Sequence, residues 1–312
     1  MLQYLIILLD DTSVSYCHYE NKKTVRKLIS IPDLKAGILF AMKQNLTIQF
    51  VYPNYELPEV YKTEIETIDH NKIAPSVANM GEADVVVFNG WNDFAGDCIF
   101  SEKAFVLRTA KQELFTNYPQ LFGILEKVTR LNIVITDVDT FTKTDFSTYK
   151  NVLNELRLKL KELYAKGLAP QLNILTDRLM LDKMNNCNAG VENITLAPNG
   201  KFYICPAFYL GNESDSVGDL INGLNIKNKQ LYKLDYAPLC RICDAYQCKR
   251  CVWLNRKTTL EVNTPSHEQC VVAHLERNTS EILLKELKPT GYSPDKEIPV
   301  IDYIDPFETI KN

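Results

Sequence analysis

The chain has 312 residues, 46% hydrophobic and 24% charged, with 12 Gly and 14 Pro, which suits a folded protein of one large domain or two and excludes a disordered or collagen-like chain. A net charge of -4 provides no overall cationic field for gathering phosphates, so nucleic acid is not expected as a main partner. The longest early apolar run, Leu5–Leu9, follows no basic segment and stops at Asp10-Asp11. It is too short for a membrane span of about 20 apolar residues and lacks the form of a secretory signal, so a cytoplasmic protein without a membrane partner is expected.

In chain order, the continuous apolar run Tyr4–Leu9 predicts a buried strand, Leu34–Lys43 a helix, and Thr47–Tyr52 a second strand rich in β-branched and aromatic residues. Asp84–Phe88 reads as a buried strand followed by a turn at Asn89-Gly90. Glu102–Val128 is expected to hold one or two helices, with Pro119 at a start or a break. Leu131–Thr136 reads as the next strand. Asp145–Lys166 has its apolar residues Phe146, Tyr149, Val152, Leu153, Leu156, Leu160 and Leu163 at helical spacing, and Gly167 ends it. Leu172–Leu175 completes a count of about five strands. Non-alternating strands separated by amphipathic helices imply a parallel sheet covered by helices, and so few strands favour an open or partial barrel.

Near Asn185 the helical periodicity gives way to Cys, Gly, Asn and turn signals, so residues 185–280 are expected to form a second domain after an α/β domain at 1–184. It ends in a helical stretch around Thr279–Leu287. Pro289, Pro294, Pro299 and Pro306 argue against a regular element in a tail assigned to 281–312.

Seven of the nine cysteines, Cys187, Cys205, Cys240, Cys243, Cys248, Cys251 and Cys270, fall within 84 residues, while Cys17 and Cys98 lie apart. Reducing cytosolic conditions argue against a disulfide framework. Ile194–Ala197 and Lys201–Cys205 flank Pro198-Asn199-Gly200, a hairpin signal that would set Cys205 opposite Ile194 and return its sulfur toward Cys187. Cys240-x2-Cys243-x4-Cys248-x2-Cys251 places four potential thiolates in 12 residues, and an x2 spacing lets one tight turn aim two sulfurs at the same metal centre. Zinc ribbons separate their two knuckles by about 15 to 20 residues, so the crowding here suits a bulkier centre, as in bacterial ferredoxins where neighbouring cysteines serve different clusters. Seven thiolates divide most naturally into four and three. Arg241, Lys249, Arg250, Arg256 and Lys257 outnumber Asp235 and Asp244 in this stretch, which fits compensation of anionic centres or a solvated basic face.

These residues resemble the SPASM domain, the auxiliary-cluster domain at the C-terminus of radical SAM enzymes that modify peptides and proteins. Cys187, Gly200 and Cys205 match the first half of its pattern. The second half departs by having x4 and x2 where the pattern has x5 and x3. The resemblance implies two iron–sulfur clusters of the 4Fe-4S type, the first held by Cys187, Cys205 and Cys251 and the second by Cys240, Cys243, Cys248 and Cys270, with zinc as the alternative. The Cys-x3-Cys-x2-Cys of radical SAM enzymes is absent. Tyr16-Cys17-His18-Tyr19 stands in its place, and Val85–Asp93 stands where such enzymes carry a glycine-rich turn.

The whole layout is similar to the CXXX repeat peptide maturase family. That resemblance implies a degenerate radical-SAM-like (β/α) partial barrel followed by a small Cys-rich SPASM-like α+β domain. The expected partner is a Cys-rich ribosomally made precursor peptide, together with a separate radical SAM enzyme if this chain acts as the recognition subunit. The alternative function is a zinc-binding scaffold or peptide-recognition protein without redox activity.

Further candidates have modest alternatives. Cys17-His18 offers a nucleophile and a base, but neighbours on a strand point to opposite faces. His267 and His274 lie near Cys270, with His267 favoured as a replacement ligand. Cys98 reads as a buried small hydrophobe. Asp137 and Asp139 follow a strand end, where they serve a barrel mouth or cap a helix, and Trp253 is expected to shield a cluster.

Overall fold

The computed structural model describes residues 1–76, 82–92, 94 and 103–292. The first elements are β1 (Tyr4–Leu8), α1 (Ile31–Gln44), β2 (Thr47–Val51), α2 (Glu59–Ile65), β3 (His70–Pro75), β4 (Val85–Asn89) and β5 (Ala104–Thr109). There follow α3 (Lys111–Asn117), α4 (Leu121–Leu125), β6 (Arg130–Ile135), α5 (Lys143–Ala165), β7 (Gln171–Leu172) and α6 (Asn173–Met180). The last are β8 (Asn193–Leu196), β9 (Phe202–Tyr203), α7 (Pro206–Gly211), β10 (Gly218–Asp219), β11 (Gly223–Leu224), α8 (Val252–Thr259) and α9 (His267–Leu287).

The chain forms two compact units: the first holds Met1–Asn89 and Asn188–Tyr236, the second Gly90–Cys187 and the chain from Ala237 onward. This division differs from the boundary that the composition suggests at 184/185, because the chain returns to the first unit to pair β8 in parallel with β1.

In the first unit the strands run β4-β3-β2-β1-β8-β9, all parallel except the β8–β9 pair. Leu5, Ile7 and Leu8 of β1 and Ile48, Phe50 and Val51 of β2 are buried, as a parallel sheet covered by helices requires. Helix α1 starts at the Ser30 N-cap, whose hydroxyl accepts from the Asp33 amide, and Pro32 fits its first turn. It approaches β8 so closely that a Cβ on Gly37 would lie 2.4 Å from Leu196 Cδ2. The hairpin forms one register away from the expected one: Thr195 faces Tyr203 and Leu196 faces Phe202, and Gly200 adopts φ +74. A three-residue loop with a left-handed glycine closes it, so Cys205 is not set opposite Ile194.

In the second unit β5, β6 and β7 are parallel, with Phe105 opposite Leu131 and Arg130 opposite Gln171. Helices α5 and α6 pack on α9. Helix α5 follows the expected face, with Phe146, Tyr149, Val152, Leu153, Leu156, Leu160 and Leu163 buried. Its capping box pairs Thr142 with Asp145. The Lys111 ammonium beside Asp145, with Thr142 assisting, holds that carboxyl down to about 2.

Several elements correct the expected ones. Ala104–Thr109 is a strand rather than the start of a helix, and His70–Pro75 adds another. Leu172–Leu175 is mostly helical, because Asn173 opens α6 and its side chain pairs with the backbone of Ile133. Helix α9 begins at His267, well before Thr279, and includes the first part of the expected tail.

Candidate metal centre of the second unit

Six of the seven clustered cysteines belong to the second unit, and Cys205 belongs to the first, at the N-cap of α7. The segment Ala237–Cys251 has little regular structure, so local bonds set its shape. A 3-10 turn at Cys240–Ile242 brings the Cys243 amide onto the Cys240 carbonyl at 3.2 Å. The Ala245 amide then donates to Cys243 Sγ at 3.4 Å, the Arg250 amide to Cys248 Sγ at 3.4 Å and the Leu254 amide to Cys251 Sγ at 3.5 Å. Amides aimed at sulfur favour the thiolate form that binds metal.

The first turn of α9 supplies Cys270, reached through the Ser266 cap, whose hydroxyl accepts from the Gln269 amide. Cys240, Cys243, Cys248 and Cys270 line one cavity together with Met184, Arg250, Gln269 and His274. Among the described residues, no three His, Cys, Asp or Glu side chains are arranged to hold a single metal ion. Tetrahedral zinc at a Zn–S distance near 2.3 Å draws its thiolates to about 3.8 Å from one another. A cluster gives each thiolate its own iron and so tolerates a wider ring.

Burial and the neighbouring thiols act together on these groups. Burial, partly opposed by Arg250, pushes the Cys240 thiol up to about 11; burial with the charges of Cys240 and Cys243 takes Cys270 to about 12. Cys248 moves upward for the same reasons although the residue as a whole is half-buried. Thiols held this high are poor nucleophiles at neutral pH. A metal centre that binds them must displace their protons, which makes loading pH-dependent.

The loop is held from outside by charged and polar contacts. Arg178 of α6 donates through Nε to the Asp244 carbonyl at 3.0 Å and through Nη2 to its carboxylate at 2.9 Å. Arg277 of α9 reaches the other carboxylate oxygen at 3.1 Å. Gln247 Nε2 donates to the Ala273 carbonyl at 2.6 Å and to Glu276 at 3.3 Å, and Tyr149 donates to the same carboxyl at 2.7 Å. Burial pushes Glu276 up to about 7 despite these donors. The Cys187 amide donates to the Lys249 carbonyl at 3.0 Å, which lays Cys187 along the cysteine loop.

The structure favours His274 over His267. His274 is buried, lines the cavity and sits with Nε2 3.4 Å from Cys243 Sγ. Burial, with the nearby Arg277, lowers it to about 4, so the ring is neutral. His267 is exposed and lies edge-on to Phe146. Spacing alone ranked His274 below His267 because only the helix from His267 reveals that position 274 follows Cys270 by one turn.

The other candidates take structural roles. Asp137 accepts from the Lys111 amide at 2.8 Å at the start of α3, and Asp139 pairs with Lys257 at 2.8 Å. Lys257 also lies over the Trp253 ring, and Trp253 is not among the residues lining the cavity. Cys98 and Asp93 lie outside the described residues.

In the first unit, the segment after β1 is tied down. Asn21 Nδ2 donates to the carbonyls of Asp11 and Ser13 at 2.8 and 2.9 Å, and Lys23 joins Glu213 at 2.7 Å. Tyr209 donates its hydroxyl to the Asp11 carboxylate, and Arg26 stacks on Tyr55. Cys17 lies on a half-buried bend in this segment rather than on a strand.

No family model and no curated protein matches the sequence. Solved structures do match. The fold is similar to polyhistidine-tagged anSMEcpe with bound AdoMet, at a TM-score of 0.64 and 11% identity, over 95% of this chain and 97% of that one. Native anSMEcpe with bound AdoMet and the Cp18Cys peptide matches at 0.63 and 11%, over 93% and 99%. Streptococcus suis SuiB bound to its precursor peptide SuiA matches more loosely, at 0.44 and 11%, over 85% and 75%. The chain therefore shares the α/β fold of anSMEcpe across nearly its whole length. Among the described residues, no helix is long and apolar enough to cross a membrane.

Proposed function

We propose that this chain matures, or assists in maturing, a Cys-rich ribosomally made peptide of the CXXX repeat type, which it binds beside two iron–sulfur clusters. Cys240, Cys243, Cys248 and Cys270 hold one cluster, and Cys187, Cys205 and Cys251 the other. The observation that carries the reading is four thiols from two distant parts of the sequence lining one cavity on a fold similar to that of anSMEcpe. That enzyme has been seen with AdoMet and a peptide, which supports a peptide as the partner here.

The donor set fits such a group: four sulfurs, amides aimed at two of them and a buried guanidinium on the same cavity. When bound, the clusters supply electron transfer, and a three-cysteine site leaves a coordination position for a substrate thiolate. The chain's own residues hold the sulfurs in place.

The segment after β1 carries one cysteine where radical SAM enzymes carry three, and it is fastened by the Asp11, Asn21 and Lys23 contacts. This supports an accessory role in which a separate radical SAM enzyme performs the radical step. The deciding experiment is anaerobic purification of the full chain with metal and sulfide analysis. About eight iron and eight sulfide per chain are expected, with retention of a CXXX repeat precursor on the loaded protein and no AdoMet cleavage by the chain alone. Stoichiometric zinc without sulfide would assign the scaffold role instead.

A further inference from the structure

Arg250 is fully buried and has the largest side chain among the fully buried residues. It lines the cavity shared by Cys240, Cys243, Cys248 and Cys270. Its Nε donates to Asn186 Oδ1 at 2.9 Å, and Asn186 directly precedes Cys187. Its own amide donates to Cys248 Sγ. Cys251 follows it directly in the chain, so the residue stands between the two proposed ligand sets.

Backbone geometry does not explain an arginine here. Residue 250 has φ +43, a left-handed conformation that a glycine adopts without strain and a long side chain resists. The Cys248-x2-Cys251 turn would form more easily with glycine, so the backbone conformation is not what selects an arginine here. Burying a guanidinium, which stays charged at any ordinary pH, demands negative charge close by. Cysteines that have released their protons to a metal centre supply that charge.

We propose that Arg250 is an internal counter-cation shared by the two sulfur sets, a positioning residue that favours their loading and raises the reduction potential of the adjacent cluster. The proposal rests on the iron–sulfur reading above. Reduction adds one electron to the centre and breaks no bond, so a fixed positive charge beside the sulfurs favours the reduced state.

The test compares wild type, Arg250→Lys, Arg250→Gln and Arg250→Gly as full chains, purified anaerobically and titrated with dithionite while the cluster signal is followed by electron paramagnetic resonance. Arg250→Gln is expected to shift the midpoint potential of the Cys240 set to more negative values, and Arg250→Lys to recover most of the shift. Arg250→Gly relaxes the backbone while removing the charge, so it reports on charge even if the glutamine variant folds poorly; a negative shift or loss of iron from both sets is expected. Iron content and midpoint equal to wild type in Arg250→Gly would overturn the proposal, as would Arg250→Lys behaving like Arg250→Gln. Either result leaves the iron–sulfur reading intact, because wild type still carries its clusters. A wild-type chain without iron and sulfide would overturn both.

Discussion

Arg178 grips Asp244 twice, through the backbone carbonyl and through the carboxylate, so a single residue of α6 fixes both the path and the side chain of the cysteine loop just after Cys243. Only 3% of Arg178 is exposed, and Arg277 completes the neutralisation from α9. Breaking a buried pair by removing one member leaves an uncompensated charge. Asp244→Ala is therefore expected to lower unfolding stability by about 3 kcal/mol and to reduce the iron retained by the Cys240 set. Chemical denaturation at fixed metal content and metal analysis of the same preparation check both. Unchanged stability would mean that the two arginines are solvated in the absence of the carboxylate.

The ligand assignment is open to a direct series. Serine at Cys240, Cys243 or Cys270 is expected to remove roughly half of the iron, four of about eight atoms, and serine at Cys187 or Cys205 the other half. Cys17→Ser is expected to leave the content unchanged. The shortened spacings make Cys248 and Cys251 the informative pair. Cys248 lines the cavity with the first three, so Cys248→Ser should share their spectrum, while Cys251→Ser should resemble Cys187→Ser. An exchange of those two spectra would reassign the knuckle.

Much of this was legible in the sequence, for identifiable reasons. Apolar strands such as Tyr4–Leu8 and the helix at Lys143–Ala165 announce themselves by periodicity, and four of the clustered cysteines, Cys240, Cys243, Cys248 and Cys270, line one cavity. Strand β3 did not announce itself, because His70, Asn71 and Lys72 form its polar half and only Ile73, Ala74 and Pro75 are buried. The early start of α9 was hidden by Cys270 and His274, which read as ligands rather than as a helix face. Tertiary pairing was invisible as well: nothing near Asn193 indicates that β8 lies beside β1, so a boundary based on composition could not follow the chain back into the first unit.

Glu276 should reverse the usual pH dependence of a carboxylate. Its folded value near 7 lies above the ordinary 4.5, so the folded chain holds the proton that the unfolded chain has lost. The sign is therefore negative: full stability is present below about pH 4.5, declines as pH rises and levels off above about pH 7, with a total near 3 kcal/mol. Tyr149, Gln247 and Asp177 are the polar and charged groups that act on it. Glu276→Gln is expected to flatten this decline, so the variant gains on wild type between pH 5 and pH 8. Denaturation curves at those two pH values, with the metal state held constant, decide it. A parallel decline in both proteins would assign the slope to another group.

Tyr209 tests whether the segment after β1 is fixed or poised to open. Its hydroxyl donates to Asp11, which also faces Lys23, and Lys23 lies over the tyrosine ring at 3.9 Å. Burial and the Asp11 carboxylate both push the phenol upward, so it remains a donor throughout the stable pH range. Tyr209→Phe keeps the ring and the cation contact and removes only the hydrogen bond, which to a charged acceptor contributes about 1.5 to 3 kcal/mol. The variant is expected to lose that much stability and to become more susceptible to cleavage between Asp11 and Ile29 in limited proteolysis. If Tyr209→Phe were cut no faster than wild type, the Asn21 and Lys23 contacts alone would suffice to hold the segment, and the phenol would matter only for packing against Tyr203.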